Sequence, residues 1–391
     1  MRYIVLLVVP LLAVLALACG GGGAPTTPKA TPASAAETLA FLRDGDIWLT
    51  DADGGNERSL GLADVQSFSW VSADELDVVT GEDRSGHLLV DVAGEVHELP
   101  FQAGGSWSSD GSMYVVPVDR QLVVFDREGS IVAELEVKPP PEEGEKARAC
   151  PLPPSSGEAD SLVFGQPVFS RDGRNVLVAV NCRSRSGATG NLYASVYEAS
   201  LDGATNRTLP LMTNLPSHFP PMISPDGARV SQHGIARSGA CHREHGMALT
   251  DADGGGSHEV TLPMIVGLRD SEPRPACIQG GLMDYDWSPD SDAIVGSFDV
   301  TFYDELTEGT MLERLVAGLY IVPIDGSGEE LLVEGAARSP AWSPSDRYIA
   351  YVAGESFGQE AEPPTIRLFD LTTRQVTDLT KGKSPAWQPQ P

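Results

Sequence analysis

Basic residues are scarce in this 391-residue chain: 27 Lys and Arg stand against 55 Asp and Glu, a formal net charge of −28. A phosphate-tracking surface would have to form against that field, so nucleic acid is set aside as a partner. The excess acid reads instead as what keeps an extracytoplasmic protein soluble. No glycine-rich loop opens a helix after residue 36, so there is no phosphate cradle of the nucleotide-binding kind. No set of nucleophile, base and oxyanion donors can be assembled from the sequence either, which argues against a conventional hydrolase. What is abundant is glycine and proline, 41 and 30 residues, and these rule out an all-helical fold. Hydrophobic residues at 41% and aromatics at 7% are ordinary for a globular chain and rule out wholesale disorder.

The chain begins with Arg2 and an apolar run over residues 4–17 that is short for a spanning helix, and then reads Ala16-Leu17-Ala18-Cys19-Gly20. This is a secretory signal, and the small residue before a cysteine followed by glycines resembles a bacterial lipobox. The resemblance implies a signal peptide over 1–18, lipid on Cys19, and export to a bacterial cell membrane facing the periplasm or the exterior. The competing reading is an ordinary cleaved signal with a stray cysteine. Residues 19–36, rich in Gly, Pro, Thr and Ala, form a tether without apolar periodicity.

A phrase of the type Trp-Ser-Pro-Asp-Gly recurs seven times through residues 37–391, with anchors Trp70, Trp107, Phe169, Ile223, Trp287, Trp342 and Trp387 spaced 37 to 64 residues apart. Ser-Pro-Asp-Gly has type I turn chemistry, with Pro fixing φ at the second position and Gly suiting the fourth. Strand-like runs follow each phrase, as at 76–80, 113–118, 175–180 and 348–352, and a third run ends in Asp-Ala-Asp-Gly at 51–54 and 251–254. Four antiparallel strands per repeat of about 50 residues is the unit of a β-propeller. The repeat resembles that of the TolB-type propeller, over almost the whole mature chain. The N-terminal segment supplies three strands and the C-terminal segment around Trp387 supplies an innermost one, so the two ends complete one blade. The count is then seven, with six as the alternative.

With strands named A to D from the axis outward, the A–B and C–D turns are tight. The opposite face carries the long segments 138–166, 183–191, 213–221, 236–246, 262–283, 301–317 and 353–364, which are expected to be loops. Cys150, Cys182, Cys241 and Cys277 all map to that face, and an even number in an exported chain reads as disulfides. Pairing Cys150 with Cys182 and Cys241 with Cys277 would staple one long segment each. His218, His233, His242 and His245 map to one side of blade five, where three converging ligands would be needed to hold a divalent metal. The reading preferred is exposed loop histidines beside a disulfide, with no cofactor. The turns at 51–54 and 251–254 resemble the start of a calcium loop but lack its later ligands, so they are hairpin turns. Gly-Glu-Ser-Phe-Gly at 354–358 has the spacing of a hydrolase nucleophile elbow without the helix that elbow needs.

TolB-like propellers also form the non-catalytic half of prolyl-oligopeptidase-type enzymes, and the hydrolase half is absent here. The functional expectation is a membrane-anchored binding or scaffolding module. It engages a protein, peptide or cell-wall ligand on the long-segment face, with a footprint over 138–166, 236–246 and 262–283. The competing reading is a metal-assisted polysaccharide lyase using the blade-five histidines.

Overall fold

The computed structural model describes residues 37–119, 121–137, 163–183, 192–209, 220–238, 243–260, 277–305, 311–354 and 364–390, and every regular element among them is a strand. The signal, Cys19 and the tether lie outside the described residues.

The first strand shows why these sequences read as nearly continuous apolar runs. In β1 (Thr38–Arg43) Leu39 and Phe41 pack against the last blade while Ala40 and Leu42 pack against the second. Successive side chains point to opposite faces, and a propeller covers both faces of each blade. Burying one such side chain contributes about 1.5–3 kcal/mol.

Blade one contains β1, β2 (Asp46–Asp51) and β3 (Arg58–Ser59), and its innermost strand comes from the other end of the chain. Blade two is β4 (Val65–Trp70), β5 (Glu75–Thr80), β6 (Gly86–Asp91) and β7 (Val96–Glu98), and blade three is β8 (Ser106–Trp107), β9 (Met113–Val118), β10 (Gln121–Asp126) and β11 (Ile131–Glu136). In blade four the inner strand is split into β12 (Val163–Phe164) and β13 (Val168–Phe169), both paired with β14 (Asn175–Arg183); β15 (Leu192–Ser200) and β16 (Asn206–Leu209) follow. Blade five is β17 (Met222–Ile223), β18 (Arg229–Ser238), β19 (Arg243–Asp251) and β20 (Ser257–Val260). Blade six is β21 (Cys277–Trp287), β22 (Ala293–Glu305), β23 (Met311–Pro323) and β24 (Glu330–Glu334). Blade seven is β25 (Ala337–Trp342), β26 (Tyr348–Ala353), β27 (Thr365–Asp370) and β28 (Gln375–Lys381), and the final strand β29 (Lys383–Trp387) returns to β1. Leu39 pairs with Trp387 and Ala40 with Ala386, so the two ends of the chain share blade one. The structure therefore has seven four-stranded blades, with an apolar layer between each neighbouring pair.

The tight turns follow their sequence. In 108–113 the Ser108 hydroxyl donates to Asp110 at 2.6 Å and accepts from Met113 N, while Gly111 sits at φ 66° and its N–H reaches Ser108 O. The same arrangement recurs around Ser170, Ser224 and Ser288. Segments 51–54 and 251–254 are C–D turns, in which Asp53 and Asp253 accept the N–H of Gly55 and Gly255.

Two of the expected loops are strand instead. Segment 236–246 is largely the paired extension of β18 and β19, with Arg237 opposite Glu244 and Ser238 opposite Arg243. Segment 301–317 continues β22 and β23, which pair out to Glu305 and Met311. The last part of 262–283 is also strand, because β21 begins at Cys277. A paired partner gives these stretches the ladder hydrogen bonds that a loop would take from water.

The extensions also join two blades. Arg243–His245 of β19 pairs in parallel with Gln279–Gly281 of β21, fusing blades five and six into one eight-stranded sheet. Backbones approach closely there: a Cβ on Gly281 (φ +134°) would lie 2.1 Å from His245 O. Only glycine fits.

Candidate ligand site between the second and third blades

The layer between blades two and three carries a buried acid and a buried histidine bonded to each other. Its apolar part is small and aromatic, built on Phe101, Tyr114 and Val116 with Trp107 and Phe125 against them. Phe101 stacks on Tyr114 and Phe125 at centroid separations of 4.6 and 5.3 Å. Asp77 on β5 and His87 on β6 are 7% and 5% exposed.

Their hydrogen bonds account for the burial. His87 Nε2 lies 2.7 Å from Asp77 Oδ1, and His87 Nδ1 lies 3.0 Å from the carbonyl oxygen of Phe101. The Trp107 indole donates to Asp77 Oδ2 at 3.1 Å. Both ring nitrogens of His87 face acceptors, which is the hydrogen-bond pattern of an imidazolium. Burial opposes that protonation; the hydrogen bond and charge of Asp77 and the Phe101 carbonyl outweigh it, and the His87 pKa is raised. Burial, with the Asp77 charge, also pushes the Tyr114 phenol well up, so it keeps its proton while accepting from Gly105 N at 2.8 Å.

Above this floor is a cavity of about 320 Å³. Ser67 and Ser69 on β4 and Asp77 and Val79 on β5 form one wall, with Ser67 opposite Val79 and Ser69 opposite Asp77 in register. The crossing at 103–105 and Gln166 form the other, tied by Gln166 Nε2 donating to Gly105 O at 2.6 Å. Arg84, in the β5–β6 loop, contributes the guanidinium. That loop and the crossing both belong to the B–C and D–A face.

The cavity is remote from blade five, where the sequence placed its candidates. His233 is 2% exposed on β18, not in an exposed loop, and donates through Nε2 to Leu282 O at 2.8 Å; burial lowers its pKa. His245 is on β19, its ring 5.9 Å from that of His233. Among the described residues no group of three or more His, Cys, Asp and Glu side chains could hold a metal. His218, His242, Cys150 and Cys241 lie outside the described residues, as does most of 354–358. Cys182 falls near the end of β14 and Cys277 opens β21, where it is buried. Asp77 and His87 went unnoticed in the sequence. Their only signal is an acid and an imidazole inside otherwise apolar strands, Leu76-Asp77-Val78-Val79 and His87-Leu88-Leu89-Val90.

Four of the seven repeat anchors serve as inter-blade donors. The indoles of Trp70, Trp107, Trp287 and Trp387 reach Ala386 O, Asp77, Ser231 and Ala341 O, in each case on the preceding blade. Trp342 turns instead to Asp346 of its own A–B turn, while Phe169 and Ile223 have no donor to offer and pack in the apolar layers.

Seven four-stranded antiparallel blades with inner strands around one axis define a β-propeller, and this chain is one. No family model and no curated protein matches the sequence. Among solved structures it is similar to the β-propeller domain of the Trilobed protease from Pyrococcus furiosus (12% identity, TM-score 0.50, covering 88% of this chain and 94% of that one). Another is TolB from Acinetobacter baumannii (14% identity, TM-score 0.47, covering 91% of this chain and 67% of that one). At such identities the likeness is one of fold. The Pyrococcus domain has an open velcro topology; here the ends pair through β1 and β29.

Proposed function

We propose that this propeller is an exported binding module, held at a bacterial membrane by lipid on Cys19, that engages a protein or peptide ligand on the face carrying the B–C loops and D–A crossings. The observation that carries the reading is the cavity between blades two and three, where a B–C loop and a D–A crossing of that face meet β4 and β5. The reading needs no metal and no cofactor. The test is hydrogen exchange on the full chain with a captured ligand: protection is expected around 81–85 and 99–105. Protection confined to the tight-turn face, around 51–54 and 251–254, would sink it. Cys19→Ala should release the protein from the membrane fraction, and release is read by fractionation.

The same reading includes two disulfides on that face, Cys150–Cys182 and Cys241–Cys277. The second is supported by register: Arg243 pairs with Gln279, and the two cysteines stand two positions before those residues. Each bridge would close a loop of roughly thirty residues and stabilise by on the order of 3 kcal/mol. Non-reducing peptide mapping checks this; a Cys182–Cys241 linkage would contradict it.

A further inference from the structure

The inner strands of blades three, four and five are two-residue pieces at β8, β13 and β17, whereas β4 beside the cavity runs for six. It pairs with β5 on one side only, so past Val65, whose N–H reaches Gly45 O, no strand covers its axial edge among the described residues. Gln66, Ser67 and Ser69 are exposed along it. Such an edge is a template for an extended chain.

Arg84 stands at one end of that edge. Thr80 pairs with Val65, so the 81–85 loop that follows β5 lies at the start of β4. The Arg84 side chain is exposed and lines the cavity, and it makes no ion pair among the described residues, whereas Arg43, Arg127 and Arg338 are each paired with an acid. Its backbone has φ 57°, a conformation more usual for Gly or Asn. Both Asp77 oxygens are engaged, by His87 and by the Trp107 indole, so Arg84 is the charge the cavity offers a ligand. It calls for an anion, and a planar guanidinium suits a carboxylate. The Tyr114 ring at the floor is 1% exposed and closed to a stacking sugar.

We propose that the cavity binds the C-terminal carboxylate of an extended peptide, the carboxylate on Arg84 and the chain running antiparallel along the axial edge of β4. The direction follows from Arg84 being at the start of β4. Ser67, Ser69 and Gln166 supply hydrogen bonds to the last residues. The inference rests on the binding-module reading and names the ligand class for that face.

The test uses the full chain in detergent with labelled indoles, since the chain has only six tryptophans and the Trp107 indole is bonded to Asp77 at the floor. Acetyl-Ala-Ala-Ala with a free carboxylate should shift the Trp107 indole resonance saturably, and the same peptide as its amide should bind at least tenfold more weakly. Arg84→Gln should lose at least tenfold, Arg84→Lys should retain part of the affinity, and Arg374→Gln in blade seven should behave as wild type. The other five indole positions report whether each variant is folded. Equal binding of acid and amide, an Arg84→Gln variant with wild-type affinity, or tighter binding of digalacturonic acid at the same resonance would each overturn the proposal. If Arg84→Gln leaves a hydrogen-exchange footprint on the B–C face intact, this inference falls while the binding-module reading stands.

Discussion

His87 makes the hydrogen bonds of an imidazolium, and this sets a pH dependence. A folded-state pKa raised above the ordinary value of 6.5 contributes stability that is fully present below that value and lost as pH rises through the raised one. His87→Gln is therefore expected to destabilise more at pH 5.5 than at pH 9, as read from urea midpoints; an equal loss at both would mean that folding leaves the His87 pKa unshifted. Asp286, half-buried near the end of β21, is a second acid with an inter-blade duty. Its carboxyl accepts the N–H of Trp287 in blade six at 2.9 Å and of Trp342 in blade seven at 2.8 Å, while burial pushes its pKa up to about 6. Asp286→Ala leaves two N–H groups without their acceptor and is expected to cost about 2–3 kcal/mol. Thermal melting at constant pH checks it, and a loss under about 0.5 kcal/mol would show that water replaces the carboxyl.

Within the elements, the A–B turns and the long hairpins were legible to different degrees. The turns are local: the Ser hydroxyl two residues before Asp110, and the Ser112 N–H and hydroxyl two residues after it, hold that carboxyl below its ordinary range. A four-residue reading finds them. The hairpin extension of β18–β19 is polar and becomes strand only because a partner strand meets it, while that of β22–β23 also buries Phe302. The parallel ladder between β19 and β21 depends on the backbone contact at Gly281. Gly281→Ala combines a positive φ with a clash against His245 O and should cost more than about 1 kcal/mol. Faster hydrogen exchange is expected at 243–245 and 279–281 with the other blades unchanged, and unaltered exchange there would show that the backbone relaxes.

For the whole molecule, ring closure is the feature on which the rest depends. β29 pairs with β1, the Trp387 indole donates to Ala341 O at 3.0 Å, and the Trp70 indole donates to Ala386 O at 3.1 Å, so the last residues touch blades seven and two as well as one. Truncation after Lys383 removes these contacts and bares an edge of β1. The truncated chain should aggregate or lose cooperative unfolding in calorimetry and size exclusion. A monomeric truncation with unchanged melting would mean that the apolar layers alone close the ring.

The sequence by itself determined the blade unit and its number. Short apolar runs and Ser-Pro-Asp-Gly turns act over a few residues, and the incomplete repeats at the two ends complement each other. Even the anchors Trp70, Trp107, Trp287 and Trp387 were marked by recurrence, though their use as donors to the preceding blade was not. What only the tertiary structure decided are the relations between blades: the Asp77–His87–Trp107 network, the cavity above it with Arg84 at its rim, and the fusion of blades five and six. Asp77, His87 and Trp107 stand on three strands of two blades, and no local pattern links an acid on β5 to an indole on β8. Their partnership exists because packing turns those faces together and leaves buried polar groups that must find each other.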